Sequence, residues 1–251
     1  MAEYIKILGI RINNITMKEA VEIIDNYVKD RANSMIVTPN AEMIVRAQKD
    51  RELAEIINNS ALSVPDGAGV LLASKLLRNP VAERVAGIDL MKESLKLAAE
   101  RAYSVYLLGS KPGVVDTACR KIREQFPAIK ITGSHHGYLD KDLKKQLVEE
   151  LKSKKPDILY VGMGSPLQEK FLNEVLPLVD IGAALAVGGS FDVLAGKVRR
   201  APVWMQKAGL EWLFRLIQEP ERVKRMTALP LFVFLVLREL FRRKKHITGC
   251  I

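Results

Sequence analysis

The sequence predicts an α/β fold: a mostly parallel sheet flanked by helices, followed by a helical C-terminal appendage. Three observations carry this. First, segments beginning at Ser104, Asp157 and Ala183 each pass from a continuous apolar stretch, through glycine and a small polar residue, into a helical pattern. Strands that are apolar on both faces belong to parallel sheets with helical crossovers, a Rossmann-like arrangement. Second, 251 residues with 48% hydrophobic and 27% charged content suffice for a large core without disulfides or metals. Third, charge is unevenly placed. Residues 196–251 hold thirteen Lys and Arg against four Asp and Glu, while the first 195 hold 26 against 25. The chain therefore divides into a nearly neutral α/β core, residues 1–195, and a basic amphipathic appendage, residues 196–251.

In chain order, the opening MAEYIKILGIRINN lacks the apolar core and small-residue cleavage site of a signal peptide, so a cytoplasmic location is expected. Residues 16–29 fit a helix. A short strand through Met35 leads to Thr38, Pro39 and Asn40 and then to a single helix over AEMIVRAQKDRELAEII. Another short apolar run ends in Val64-Pro-Asp-Gly67, and helices fit residues 87–101 and 140–154. Residues 209–225 read as an amphipathic helix interrupted near Pro220. Residues 228–237 are apolar but contain Pro230, and they are too few for a span, which needs roughly 20 apolar residues. Arg238 and the cluster Arg242-Arg-Lys-Lys245 follow, a pattern suited to a helix lying in an anionic membrane interface. A core helix with a solvated charged end is the plainer alternative.

In a parallel sheet, ligands bind beyond the carboxyl ends of the strands. That edge should carry Thr38, Asn40, Asp66, Gly109, Gly162, Gly164, Gly188 and Gly189. The segment Gly162-Met-Gly-Ser-Pro-Leu-Gln168 reads as a phosphate-binding strand-to-helix turn, with Ser165 the N-cap and Pro166 the first helical residue. It lacks the GK[ST] of a Walker A loop. Gln168 then falls where a glutamine closes a capping box. In Gly188-Gly-Ser-Phe-Asp192, Asp192 is either a ligand to a ribose or base, or part of a tight turn. Asp66 is either a turn residue or a general base held over the sheet edge. Arg215, Arg222 and Arg225 share one face if the helix continues past Pro220, and a fork of guanidiniums suits a diphosphate.

Metal and redox chemistry find little purchase. His135 and His136 are adjacent, so on a strand they point to opposite faces. Asp140-Lys-Asp142 has the spacing of a metal-dependent sugar-nucleotide motif, but it opens a helix, where Asp caps. Two cysteines, Cys119 and Cys250, are too few for a disulfide framework or a structural zinc site. No metal and no cofactor is expected. The appendage groups its apolar residues in a block instead of interleaving aromatics with bases, which argues against a nucleic-acid partner.

The series TPNAEMI, VPDGAGV, ERVAGIDL, YLLG, HHGY, VGMGSPLQEKF, GGSFDVLAGKVRRAP and GLEWLFRLIQEPERVKR resembles, in order and over nearly the whole chain, the WecG/TagA/CpsF glycosyltransferase family, its teichoic-acid branch above all. The resemblance implies an inverting, metal-independent enzyme on the inner face of the cell membrane. It would move N-acetylmannosamine from its UDP sugar to undecaprenyl-diphosphate-linked N-acetylglucosamine, making a β-1,4 link of the wall teichoic acid linkage unit. It implies Asp66 as general base, Thr38 and Asn40 lining the sugar pocket, and Arg84 as a further site residue. Gly109, Tyr138, Gly164, Gln168, Gly189 and Asp192 would surround UDP, with Arg215, Arg222 and Arg225 on a diphosphate. It also implies an appendage that brings the enzyme to the membrane. Alternatives are another UDP-sugar donor, carrying N-acetylmannosaminuronic acid or glucose, and a nucleotide-binding membrane adaptor. A homo-oligomer fits any of them.

Overall fold

The computed structural model describes residues 3–248, and within them every side chain except those of Lys224 and residues 243–248. The expectations resting on Cys250 and on the basic side chains of residues 243–245 lie outside the described residues.

The chain opens with an antiparallel hairpin of β1 (Tyr4–Ile7) and β2 (Ile10–Asn13), turned at Leu8-Gly9. Its alternation buries Ile5, Ile7, Ile10 and Ile12 on one face. Helix α1 (Met17–Lys29) begins at Thr16, whose hydroxyl accepts the Glu19 N–H while the Glu19 carboxylate takes the Thr16 N–H. After β3 (Ser34–Val37), the single helix expected from the sequence is two, α2 (Ala41–Ala47) and α3 (Arg51–Asn59). The break has a local cause: the Asp50 carboxylate accepts the Leu53 N–H at 3.0 Å and starts a new helix. Then come β4 (Leu62–Ser63), α4 (Ala68–Leu76), α5 (Gly87–Arg101), β5 (Ser104–Gly109), α6 (Val114–Gln125) and β6 (Lys130–His135). Helix α7 (Lys141–Lys154) is capped by Asp140, which accepts from the N–H groups of Asp142 and Leu143. It is followed by β7 (Ile158–Gly162), α8 (Leu167–Val175), β8 (Ala183–Ala186) and α9 (Ser190–Leu194).

Strands β3 to β8 form one parallel sheet in the order β4-β3-β8-β7-β5-β6. Successive side chains go to opposite faces. On one side Met35, Val37, Leu159, Val161, Ala184 and Ala186 meet a core that also takes in α2, α3, α4 and α8. On the other, Ile36, Val105, Leu107, Ile158, Tyr160 and Leu185 meet α1, α5, α6 and α9. The expected three-layer α/β architecture is present. Neighbours β5 and β7 are followed by strands on opposite sides, β6 and β8, so the topological switch lies between them.

The C-terminal segment comprises α10 (Val203–Lys207), α11 (Glu211–Gln218), α12 (Val223–Met226) and α13 (Ala228–Thr248). Pro230 lies in the first turn of α13, where its missing N–H costs nothing, so it does not break the helix. Helix α13 packs on α2 and α4. Its Phe232 and Val236 are 2% and 1% exposed and belong to the main core. Pro230, Phe234, Leu237 and Phe241, spaced to share the opposite side, remain exposed. No helix among the described residues is long and apolar enough to cross a membrane.

Truncating Phe232 to Ala should therefore cost about 3–5 kcal/mol in urea unfolding, the usual loss for a buried aromatic. A segment attached loosely to the core would leave the unfolding midpoint unchanged.

Candidate active site

The carboxyl ends of β3, β4, β7 and β8 open into a cavity of about 670 Å³, roofed by residues 209–233. It brings together Asp66, Thr38, Asn40, Arg84, Gly164, Gln168, Gly189, Arg215, Arg222 and Arg225.

Asp66 stands between the starts of two helices. Gly67, at φ +82°, caps α4 in a conformation that L side chains rarely adopt, and Gly87 is the first residue of α5. The Asp66 N–H donates to the Pro39 carbonyl at 3.2 Å and the Val85 N–H donates to the Pro65 carbonyl at 2.9 Å, which pins the turn from both sides. The backbone N–H groups of Gly87 and Gly67 point at the carboxylate. Burial pushes the Asp66 carboxyl up to about 6, against the opposing pull of Arg84 and of those N–H groups; the nearby Glu211 adds to the rise.

Thr38 and Asn40 occupy the adjoining turn. Thr38 Oγ1 donates to the Ala186 carbonyl at 3.4 Å, tying the end of β3 to that of β8. Asn40 accepts the Met43 N–H at 3.0 Å, so it is also the N-cap of α2. The Asn-Ala-Glu-Met sequence carried that signal.

Gln168 corrects the capping expectation. Helix α8 starts at Leu167 with Pro166 as its N-cap, so Ser165 is not the cap. Gln168 Oε1 instead accepts from two glycine loops at once: Gly164 N–H at 3.2 Å and Gly188 N–H at 3.0 Å. Its Nε2 donates to Glu169 Oε1 at 2.7 Å. Glu169 is fully buried, and burial raises its pKa. Arg46, which the sequence did not single out, braces the same turn through the Ser165 carbonyl at 2.6 Å.

The three appendage arginines reach the cavity, but not from one continuous helix. Helix α11 ends at Gln218, a tight turn spans Pro220–Arg222, and α12 follows. The glutamate at 219 sits 3.6 Å from Arg215 and 2.7 Å from Arg222, while Arg225 lies 3.8 Å from Glu42. A Cβ on Gly189 would come within 2.6 Å of Arg215 Nη2, so the guanidinium lies directly over the bare glycine. Burial, then the like charge of Arg222, pulls the Arg215 pKa down. Seven arginines line the described cavity against three carboxylates. An anion entering it relieves the crowding of these cations.

Gly109, Tyr138 and Asp192 do not line this cavity. They gather beside it at the switch point. Ser110 Oγ donates to Asp192 Oδ1 at 3.1 Å, and its carbonyl accepts the Gly137 N–H at 2.9 Å. Gly109 is there for clearance: a Cβ would meet the Gly162 carbonyl oxygen at 2.3 Å. Tyr138 is 61% exposed. Asp192 lies in the first turn of α9.

Sequence reasoning missed Glu211 and Arg200. Glu211 Oε2 accepts from Arg84 Nη2 at 2.9 Å, and its Oε1 accepts from Arg200 Nε at 3.2 Å. Both Arg200 terminal nitrogens bind the Asp89 carboxylate, Nη2 at 2.6 Å. A glutamate in the first turn of a helix reads as ordinary dipole pairing, so nothing marked it.

A model of the glycosyltransferase WecG/TagA/CpsF family matches residues 5–246. A Bacillus subtilis (strain 168) protein named N-acetylglucosaminyldiphosphoundecaprenol N-acetyl-beta-D-mannosaminyltransferase is 37% identical over 215 residues, 85% of this chain and 83% of its own length. A Staphylococcus aureus (strain MW2) protein of the same name is 35% identical over 243 residues, 96% of this chain and 95% of its own.

Replacing Gln168 with Leu keeps the volume and strands the two glycine N–H groups. A stability loss of about 1–3 kcal/mol should follow in thermal unfolding. Amide exchange should speed up at Gly164 and Gly188 and stay unchanged at Gly9.

Proposed function

The chain belongs to the WecG/TagA/CpsF glycosyltransferase family, and on that footing we propose that it moves N-acetylmannosamine from its UDP sugar to polyprenyl-diphosphate-linked N-acetylglucosamine. The acceptor comes from the names of its relatives. The UDP donor follows from the reaction class. The observation that carries the reading is a carboxylate with raised proton affinity on the floor of an arginine-lined cavity.

In this mechanism Asp66 takes the proton from the acceptor hydroxyl as its oxygen attacks the anomeric carbon. The new C–O bond forms on the face opposite the departing group, the sugar–phosphate bond breaks, and its electron pair leaves with UDP. One displacement inverts the configuration, giving the β-linked disaccharide. A base titrating near 6 is ionised at neutral pH, yet it holds a proton better than an exposed aspartate does. Thr38, Asn40 and Arg84 hold the sugar. Arg215, Arg222 and Arg225 receive the diphosphate charge by charge-assisted hydrogen bonds, the role a divalent cation fills in other transferases. Gly164, Gln168 and Gly189 present loop backbone to the same group. Gly109, Tyr138 and Asp192, at the switch point, take the nucleoside.

The appendage is the membrane-facing side, at the inner surface of the cell membrane. Support comes from the exposed apolar residues Trp204, Ile217, Phe234 and Phe241, which share a basic segment.

Four results test this. Purified protein should release UDP from UDP-N-acetylmannosamine only when the lipid-diphosphate acceptor is present, and EDTA should not abolish the release. Asp66→Asn should lower turnover about 10²–10⁴-fold, the usual contribution of a general base, with UDP affinity retained. In the wild type, kcat/KM should fall as pH drops through about 6, because protonation removes the base. The protein should also sediment with anionic vesicles, and Phe234→Ser/Phe241→Ser should weaken that binding without lowering the unfolding midpoint.

A further inference from the structure

The base is not left alone with the arginine beside it. Three charged side chains face Asp66: Arg84 from the loop before α5, and Glu211 and Arg215 from α11. Arg84 pulls against the rise in Asp66 proton affinity, and Arg84 is already engaged. Its Nη2 donates to Glu211 at 2.9 Å and its Nη1 reaches the Gln206 carbonyl at 3.4 Å. Glu211 is itself fixed from behind by Arg200, which the Asp89 carboxylate grips with two hydrogen bonds. The four side chains alternate in sign from α5, through the segment after α9, to α11 and back to the loop before α5. Arg84 and Arg200 are about four-fifths shielded from solvent, so their contacts are far less screened than a surface pair.

We propose that Glu211 is a positioning residue for the reaction: by holding Arg84 it keeps that guanidinium from pairing with Asp66, so the base is free and strong only while α11 is seated. This rests on Asp66 being the base. The physical reason is competition for one cation. With Glu211 in place, Arg84 answers to a carboxylate other than Asp66. Without it, Arg84 loses that partner and still acts on Asp66 across the cavity. Pairing there would stabilise the ionised form of Asp66, weaken its pull on the acceptor proton and turn the carboxylate away from the acceptor. Glu211 belongs to the segment that closes the cavity, so seating the segment and arming the base become one event.

The test is the pH dependence of kcat/KM in full-length protein, with UDP-N-acetylmannosamine and a short-chain polyprenyl-diphosphate N-acetylglucosamine. Glu211→Gln should move the acidic limb to lower pH by about one unit and lower the plateau about three- to tenfold, since base strength and rate fall together. Glu211→Asp keeps the charge, so its limb should stay near the wild-type position even if its plateau falls. If the limb of Glu211→Gln stays with the wild type and only the acceptor KM rises, Glu211 merely docks the segment and the proposal is wrong. Should either variant be too slow to assay, titration of the Asp66 carboxyl carbon by NMR reads the same shift directly, and an unmoved midpoint overturns the proposal. Asp66→Asn, assayed alongside, separates the two readings. Retained activity and a retained limb there would overturn the base assignment itself, whereas loss of activity there with an unmoved Glu211→Gln limb would overturn only the role of Glu211.

Discussion

The alternating chain Asp89–Arg200–Glu211–Arg84 is the constraint on which the site depends. A parallel sheet supplies an open edge: loops, helix starts and bare glycines, with nothing above them. A cavity needs a roof, and apolar packing alone fixes a roof only loosely in register. Charged groups that are shielded from water have no comparable partners elsewhere, so each must find its own opposite. That requirement places α11 over Asp66 to within a hydrogen bond. Helix α13, through Phe232 and Val236, supplies the complementary anchor: apolar burial that is strong but not directional.

Charge within the cavity is organised in two zones. Around Asp66 it is balanced, with Arg84 and Arg200 answered by Glu211 and Asp89. Further along, Arg215, Arg222 and Arg225 have less to answer them, since the carboxylate at position 219 is shared by two of the three. The first zone surrounds Asp66, and Arg215 reaches it from the second. Gln168 joins the two glycine loops that lie between them, and the buried Glu169 fixes which end of its amide faces those loops.

Much of this was legible in the sequence, and the reasons differ by residue. Strand-end glycines and Asp66 were visible because a parallel sheet puts function at its carboxyl edge whatever the chemistry. Helix starts at Thr16 and Asp140 were visible because capping is local. The capping role expected of Gln168 failed because its partner Gly188 is twenty residues away, and no spacing rule reaches that far. Arg215, Arg222 and Arg225 were found on the assumption of a continuous helix, and the turn at Pro220 achieves the convergence by another path. Glu211 was invisible because its meaning lies in Arg84, Arg200 and Asp89, which meet only after folding. The split of α2 from α3 turned on one aspartate, Asp50, that reads as equally at home inside a solvated helix.

The Leu8 N–H donates to Glu239 Oε2 at 3.0 Å, a bond between residues 231 apart in the chain. It ties the first hairpin to the last helix, and α13 also lies against α2 and α4 from the first third of the sequence. Contacts of such long range form late, because the entropy of closing the loop must be met before they return anything. On the ribosome, the sheet and its helices can assemble while the roof is still unmade. A nascent chain therefore carries a folded but open edge, with Asp66 exposed to water, until α13 emerges and closes the cavity.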